Sequence, residues 1–190
     1  AFIGSTVSGK SSLINLVPRF YDATDGEVLV DGVNVKDYTL EELHNKLGYI
    51  PQKAVMFTGT VKSNVAYGTK NAKKPSEEKI NDAINIAQAD EFVSKMDGGV
   101  NAHIARGGTN VSGGQKQRLA IARSIARDPE IYIFDDSFSA LDYKTDATLR
   151  NELKKYTKDA TSMIVAQRIG TIINADKIVV LDKGTCVGMG

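Results

Sequence analysis

No apolar run in this chain approaches the length needed to span a bilayer. The most apolar stretches, Ile131–Phe134 and Ile178–Leu181, are short and strand-like. Any membrane role must therefore come through a partner or through sequence outside these 190 residues. An excess of one charge is missing too. Lys plus Arg (24) nearly cancels Asp plus Glu (23), so no overall basic field points to nucleic acid. The single cysteine, Cys186, leaves no internal disulfide and fits a reducing compartment. His44 and His103 lack metal-like spacing with cysteines or acids, which argues against a zinc site. No signal peptide is present: the chain opens on Ala1-Phe2-Ile3 and runs at once into a glycine loop, so it reads as a fragment of a longer protein. Repeats and low-complexity tracts are also missing.

What remains is an ordinary mixture, 42% hydrophobic and 25% charged, of a size that suits one globular domain rather than two. Short apolar runs alternate with helical patterns, which predicts βαβ units and a parallel sheet. Phe2-Ile3 reads as a strand end, Lys10–Val17 as a helix stopped by Pro18, and Glu27–Val30 as a strand before the tight turn Asp31-Gly32. Thr39 and Glu42 have the spacing of a capping box, and Gly48–Ile50 returns to strand. From about Val61 to Ala126 the chain reads as mostly helical. One helix starts at Pro75, with Ile80, Ala83, Ile84 and Ala87 in helical spacing, and a basic helix runs from Gly113 to Arg127. Strand Ile131–Asp135, helix Tyr143–Tyr156 and strands Ser162–Val165 and Lys177–Leu181 follow. Lys62, Lys70, Lys73 and Lys74 read as a solvated face.

The segment Gly4-Ser5-Thr6-Val7-Ser8-Gly9-Lys10-Ser11, followed by Ser12, fits G-x-x-x-x-G-K-[ST] at every fixed position. Glycines let successive N–H groups curl around a phosphate, and the following helix adds positive potential. Lys10 would bridge the β- and γ-phosphates, and the Ser11 hydroxyl would ligate Mg²⁺. Alone, this loop predicts only a nucleoside triphosphate. Ile131–Asp135 is an apolar run ending in a carboxylate, so a buried parallel strand would deliver Asp135 to the sheet edge where the phosphate loop sits, placed to hold Mg²⁺.

Val111-Ser112-Gly113-Gly114-Gln115, opening a basic helix, resembles the signature motif of the ABC ATPases. Further segments are similar to that family over nearly the whole chain. Gln52 after Gly48–Pro51 resembles the Q-loop glutamine, a Mg²⁺ and water ligand; Ser139–Asp142 resembles the D-loop. Val55–Asn64, Arg19–Asp22 and Gly26–Gly32 resemble exporter-type members. The resemblance implies an α/β fold of the P-loop NTPase (RecA-like) kind: a parallel-sheet core, a helical subdomain inserted at roughly 54–128, and a partial antiparallel β arm, all in one nucleotide-binding domain over 1–190. It also implies a head-to-tail dimer, in which each ATP lies between one chain's phosphate loop and its neighbour's signature motif. Transmembrane domains would be driven from the cytoplasmic face of the cell membrane.

Four positions depart from the family's pattern. Asp136 stands where the catalytic glutamate usually is, and a carboxylate one methylene short falls back by roughly 1 Å, enough to cost ~100-fold in rate. Gln167 stands where the switch histidine usually is, and it can donate to a γ-phosphate but carries no charge. Together they resemble the degenerate-site half of heterodimeric bacterial exporters, so a non-identical partner chain is expected to supply the competent residues. Val7 occupies a usual glycine position and would be strained if its φ is positive. Ala105 replaces an acidic residue common in exporters. Two other readings compete with the exporter ATPase: a regulatory module that holds ATP without turnover, and a soluble ABC ATPase acting on DNA or ribosomes.

Overall fold

A computed structural model describes residues 1–68 and 74–190, so Lys70 and Lys73 lie outside the described residues. In chain order the strands are β1 (Phe2–Gly4), β2 (Leu29–Val30), β3 (Val33–Asn34), β4 (Leu47–Ile50), β5 (Gly59–Thr60), β6 (His103–Ile104), β7 (Ile131–Asp135), β8 (Thr161–Val165), β9 (Val179–Asp182) and β10 (Thr185–Met189). The helices are α1 (Lys10–Ile14), α2 (Leu40–Lys46), α3 (Val61–Val65), α4 (Glu77–Ile86), α5 (Asp90–Val93), α6 (Gly113–Arg127), α7 (Tyr143–Tyr156) and α8 (Ile169–Ile172). Six strands form the main sheet in the order β10-β9-β1-β8-β7-β4, parallel except for β10. This is the expected α/β architecture, with the β2–β3 hairpin as its antiparallel arm.

The centre of the sheet explains the apolar runs. β7 has neighbours on both edges, and Tyr132 to Phe134 are at most 2% exposed, so the strand reads as a continuous apolar stretch rather than an alternation. One apolar cluster joins Ile14, Val35, Leu43, Ile133 and Val165 on the α1 and α2 side. A larger one gathers Ile80, Ile84, Leu119, Ile121, Tyr132 and Leu149 from α4, α6, β7 and α7. α6 crosses β4 so closely that a Cβ on Gly48 would stand 2.2 Å from Ser124 Oγ. Among the described residues no helix is long and apolar enough to cross a membrane.

Helix ends follow their capping residues. Thr39 and Glu42 form the expected capping box on α2. α6 runs over the expected span, capped by Ser112 and closed by Asp128 at φ 53 just before Pro129. Ser76, rather than Pro75, caps α4, whose Ile80, Ala83 and Ile84 are buried.

The structure departs from expectation in four elements. α1 ends at Ile14 instead of Val17: Val17 precedes Pro18, which disfavours helical geometry there, and Leu16 and Val17 are left in tighter turns. The arm strand shortens to Leu29–Val30. The stretch expected to be mostly helical contains β6, which pairs with β5 just ahead of that stretch in a two-residue ladder too short to leave a hydrophobic period. β10 was not anticipated; it folds back on β9 through Lys183 and Gly184, both at positive φ (47° and 80°), as a two-residue hairpin turn requires.

Candidate nucleotide site

β1 delivers the phosphate loop to the C-terminal edge of the parallel strands. Gly4 must be glycine, because a Cβ there would meet the Leu181 carbonyl oxygen of β9 at 2.2 Å. Ser8 is buried beneath the loop, donating its N–H to the Ser5 carbonyl and accepting from Gly184 N–H with its own. Gly9 turns the chain into α1 at φ 94. The buried Lys10 side chain folds into the loop, its Nζ donating to Gly4 O at 2.8 Å, Ser5 O at 2.7 Å and Ser8 Oγ at 3.2 Å. Ser5, Thr6, Val7, Ser11 and Ser12 remain exposed around it. Val7 does adopt φ 66 and is 93% exposed, so a β-branched residue sits in left-handed geometry without packing in return.

The acid at the end of β7 reaches this loop. Ser11 Oγ donates to Asp135 Oδ1 at 2.8 Å, and the Tyr49 hydroxyl lies 3.1 Å from Asp135 Oδ2 and 2.9 Å from Asn15 Oδ1. Sequence reasoning missed Tyr49. Its signal lies in strand register: Tyr49 pairs with Ile133, two residues before Asp135, so the three side chains share one face of the sheet. Burial, with Asp135 adding to it, pushes the Tyr49 phenol up, which keeps it a donor.

Asp136 follows at φ 48, fastened by its N–H to the Val165 carbonyl. Its Oδ2 accepts from Gln52 Nε2 at 3.1 Å and Gln167 Nε2 at 3.0 Å. Burial raises the Asp136 carboxyl, the hydrogen bond from Gln52 opposes this, and the charge of Asp135 adds to the rise. Gln52, Asp136 and Gln167 line a cavity of about 510 Å³ with Ser139, Arg168 and Thr171. A carboxylate and two amides around such a space can hold and polarise a water. Gln52 is thus brought to Asp136, and no hydrogen bond among the described residues ties it to Ser11 or Asp135.

Ser112–Gln115 stand apart from this cluster. Ser112 Oγ accepts from Gln115 N–H, and Gln115 Oε1 accepts from Ser112 N–H, a capping box at the start of α6. Gly113 faces open space, whereas a Cβ on Gly114 would come within 3.2 Å of the Ala140 carbonyl oxygen in the segment 139–142. Among the described residues no hydrogen bond links this box to the phosphate loop.

For a metal, no group of three or more His, Cys, Asp and Glu side chains is assembled among the described residues. Ser11 Oγ and Asp135 Oδ1 are nonetheless hard oxygen donors 2.8 Å apart. Two adjacent ligands of an octahedral Mg²⁺ at ~2.1 Å would lie roughly 3 Å apart, so the pair fits that ion when phosphates and water complete the shell.

Known proteins are similar to this chain over its whole length. The model of the family described as ABC transporter matches residues 1–139. An uncharacterized ABC transporter ATP-binding protein of Mycobacterium tuberculosis is 46% identical over 190 residues, covering all of this chain and 32% of that protein. A Staphylococcus aureus protein with the provisional name multidrug export ATP-binding/permease protein is 42% identical over the same 190 residues, again 32% of its length. The structure of a bacterial Atm1-family ABC exporter with ATP bound matches with a TM-score of 0.94 at 33% identity, over all of this chain and 33% of that one. The chain thus spans about a third of the length of the relatives it matches.

Proposed function

The chain belongs to the ABC transporter family and is an ATP-binding domain of that kind, and on that premise we propose that it hydrolyses MgATP slowly to drive an exporter. In this reading Lys10 and the amides of Gly4–Ser12 grip the phosphates, while Ser11 and Asp135 hold Mg²⁺. The metal would draw charge from the phosphate oxygens when bound. Asp136 receives and orients the attacking water, with Gln52 and Gln167 holding its carboxylate in place. Ser112–Gln115 serve the nucleotide of a second ABC domain packed head to tail, a non-identical chain that carries the glutamate and histidine missing here. From the cytoplasmic face of the cell membrane, closure of that pair would drive transmembrane domains that carry out transport.

The observation that carries this reading is the convergence of Gln52 and Gln167 on one oxygen of Asp136, beside a phosphate loop already linked to Asp135. Slow turnover is favoured over a site that only stores nucleotide because a carboxylate, shorter than the usual one, still lines the cavity with two amides on it, where it can polarise a water.

The test is single-turnover hydrolysis by the full-length protein mixed with its competent partner, with each chain's catalytic carboxylate replaced in turn. Replacing the partner's glutamate should remove nearly all turnover and Asp136→Asn only a minor part. Equal losses would overturn the claim of an impaired site, and turnover that Asp136→Asn leaves wholly unchanged would favour the regulatory module instead.

A further inference from the structure

Asp135 is held from two sides: Oδ1 by Ser11 and Oδ2 by a residue on a different strand, Tyr49 of β4. The phenol also touches Asn15, at the C-terminal cap of α1. A phenol has one proton, and both neighbours as oriented present oxygens. Turning the Asn15 amide by half a revolution, which leaves its outline unchanged, satisfies all three groups. Asn15 Nδ2–H then donates to the Tyr49 oxygen, and Tyr49 O–H donates to Asp135 Oδ2. Asn15 is one helical turn from Ser11, its N–H bonded to the Ser11 carbonyl at 3.0 Å. The chain of bonds therefore closes a ring through α1, β4 and β7. Phe20 braces the Tyr49 ring edge-on at 5.2 Å.

We propose that Tyr49 is a positioning residue for Asp135, fixing the plane of its carboxylate so that Oδ1 stays aimed at Ser11 and at Mg²⁺. The proposal rests on the MgATP reading above. Had Tyr49 only filled space, phenylalanine would serve equally well, since the ring contact with Phe20 does not use the hydroxyl. Residues that orient metal ligands typically cost about 10- to 100-fold in metal affinity when removed. Asp135 keeps its bond from Ser11 in such a variant, so the lower end of that range is expected.

The experiment uses the full-length protein and a fluorescent ATP analogue, with Mg²⁺ titrated at fixed nucleotide and a parallel binding curve in EDTA. Tyr49→Phe should raise the Mg²⁺ concentration for half-maximal binding about 10-fold while affinity in EDTA changes by less than about 2-fold. Asn15→Ala should shift the Mg²⁺ response in the same direction by a smaller factor, and it decides the matter if Tyr49→Phe does not fold. An unchanged Mg²⁺ response, or equal losses with Mg²⁺ and in EDTA, overturns the proposal. If the unsubstituted protein binds nucleotide without any Mg²⁺ dependence, the MgATP reading falls and this proposal falls with it. A Mg²⁺ response in the unsubstituted protein that Tyr49→Phe leaves intact removes the proposal alone.

Discussion

Ser11 and Asp135 are 124 positions apart in the chain and share a hydrogen bond of 2.8 Å. One comes from the helix after β1 and the other from the end of β7, two strands separated in the sheet by β8. Only a parallel sheet with β1 and β7 near its centre brings both to the same edge, so the fold and the proposed metal site are one arrangement.

Lys10 is expected to dominate nucleotide affinity. Its ammonium is buried and held by Gly4 O, Ser5 O and Ser8 Oγ, so it cannot drift from the centre of the loop. Hydrogen bonds to charged groups contribute about 1.5–3 kcal/mol, which converts to roughly 10- to 150-fold in affinity. Lys10→Ala in the full-length protein should weaken ATP binding by that factor in a fluorescence titration. A loss of less than about 3-fold would contradict the role.

Val7→Gly should stabilise the protein. Left-handed geometry at a β-branched residue costs about 1–3 kcal/mol, and the extra freedom of glycine in the unfolded chain returns about 0.5–1 of that. The side chain is 93% exposed, so little packing is lost. A net gain of about 0.5–2 kcal/mol corresponds to a rise in Tm of roughly 2–6 °C for a chain of this size. Val7→Ala, which keeps the Cβ, should gain less. A lower Tm for the glycine variant in a circular-dichroism melt would show that the left-handed valine is not strained.

Much of this arrangement was legible in the sequence, and the exceptions share a cause. α6 could be bounded correctly because both its signals are local: Ser112 with Gln115 at one end, Asp128 and Pro129 at the other. β7 announced itself as an unbroken apolar run ending in Asp135. β5, β6 and Tyr49 were not visible, since each depends on which strand lies alongside. The φ of Val7 was legible only as a condition, because a loop's geometry follows from its closure on Gly184 and Lys10.

Asp136→Glu should raise turnover. Asp136 is anchored by its own N–H to Val165 and its carboxylate is held back by Gln52 and Gln167, so an added methylene would move the oxygens toward the cavity. A correction of roughly 1 Å is worth up to ~100-fold in rate, and about 10-fold or more is expected in steady-state phosphate release by the full-length protein. The same substitution paired with Gln167→His should gain further. A rate that stays level or falls would mean that the shorter carboxylate already reaches its water.

Asp136→Asn should separate burial from charge through pH. Burial raises the Asp136 carboxyl above its ordinary 3.8, so the folded state keeps this proton to a higher pH than the unfolded state does. Between 3.8 and the raised folded value the unfolded chain binds fewer protons, and stability therefore falls as pH rises through that window. Below it the group carries no penalty, and above it the penalty stays in full. Asparagine keeps the shape and an oxygen for Gln52 and Gln167 but removes the buried charge. Urea unfolding without nucleotide or Mg²⁺ should thus find Asp136→Asn more stable than the parent at neutral pH. The advantage should shrink toward zero as the pH is lowered past 3.8. An advantage that is the same at every pH would assign the effect to packing, and a loss of stability at neutral pH would show that the two glutamine hydrogen bonds outweigh the burial.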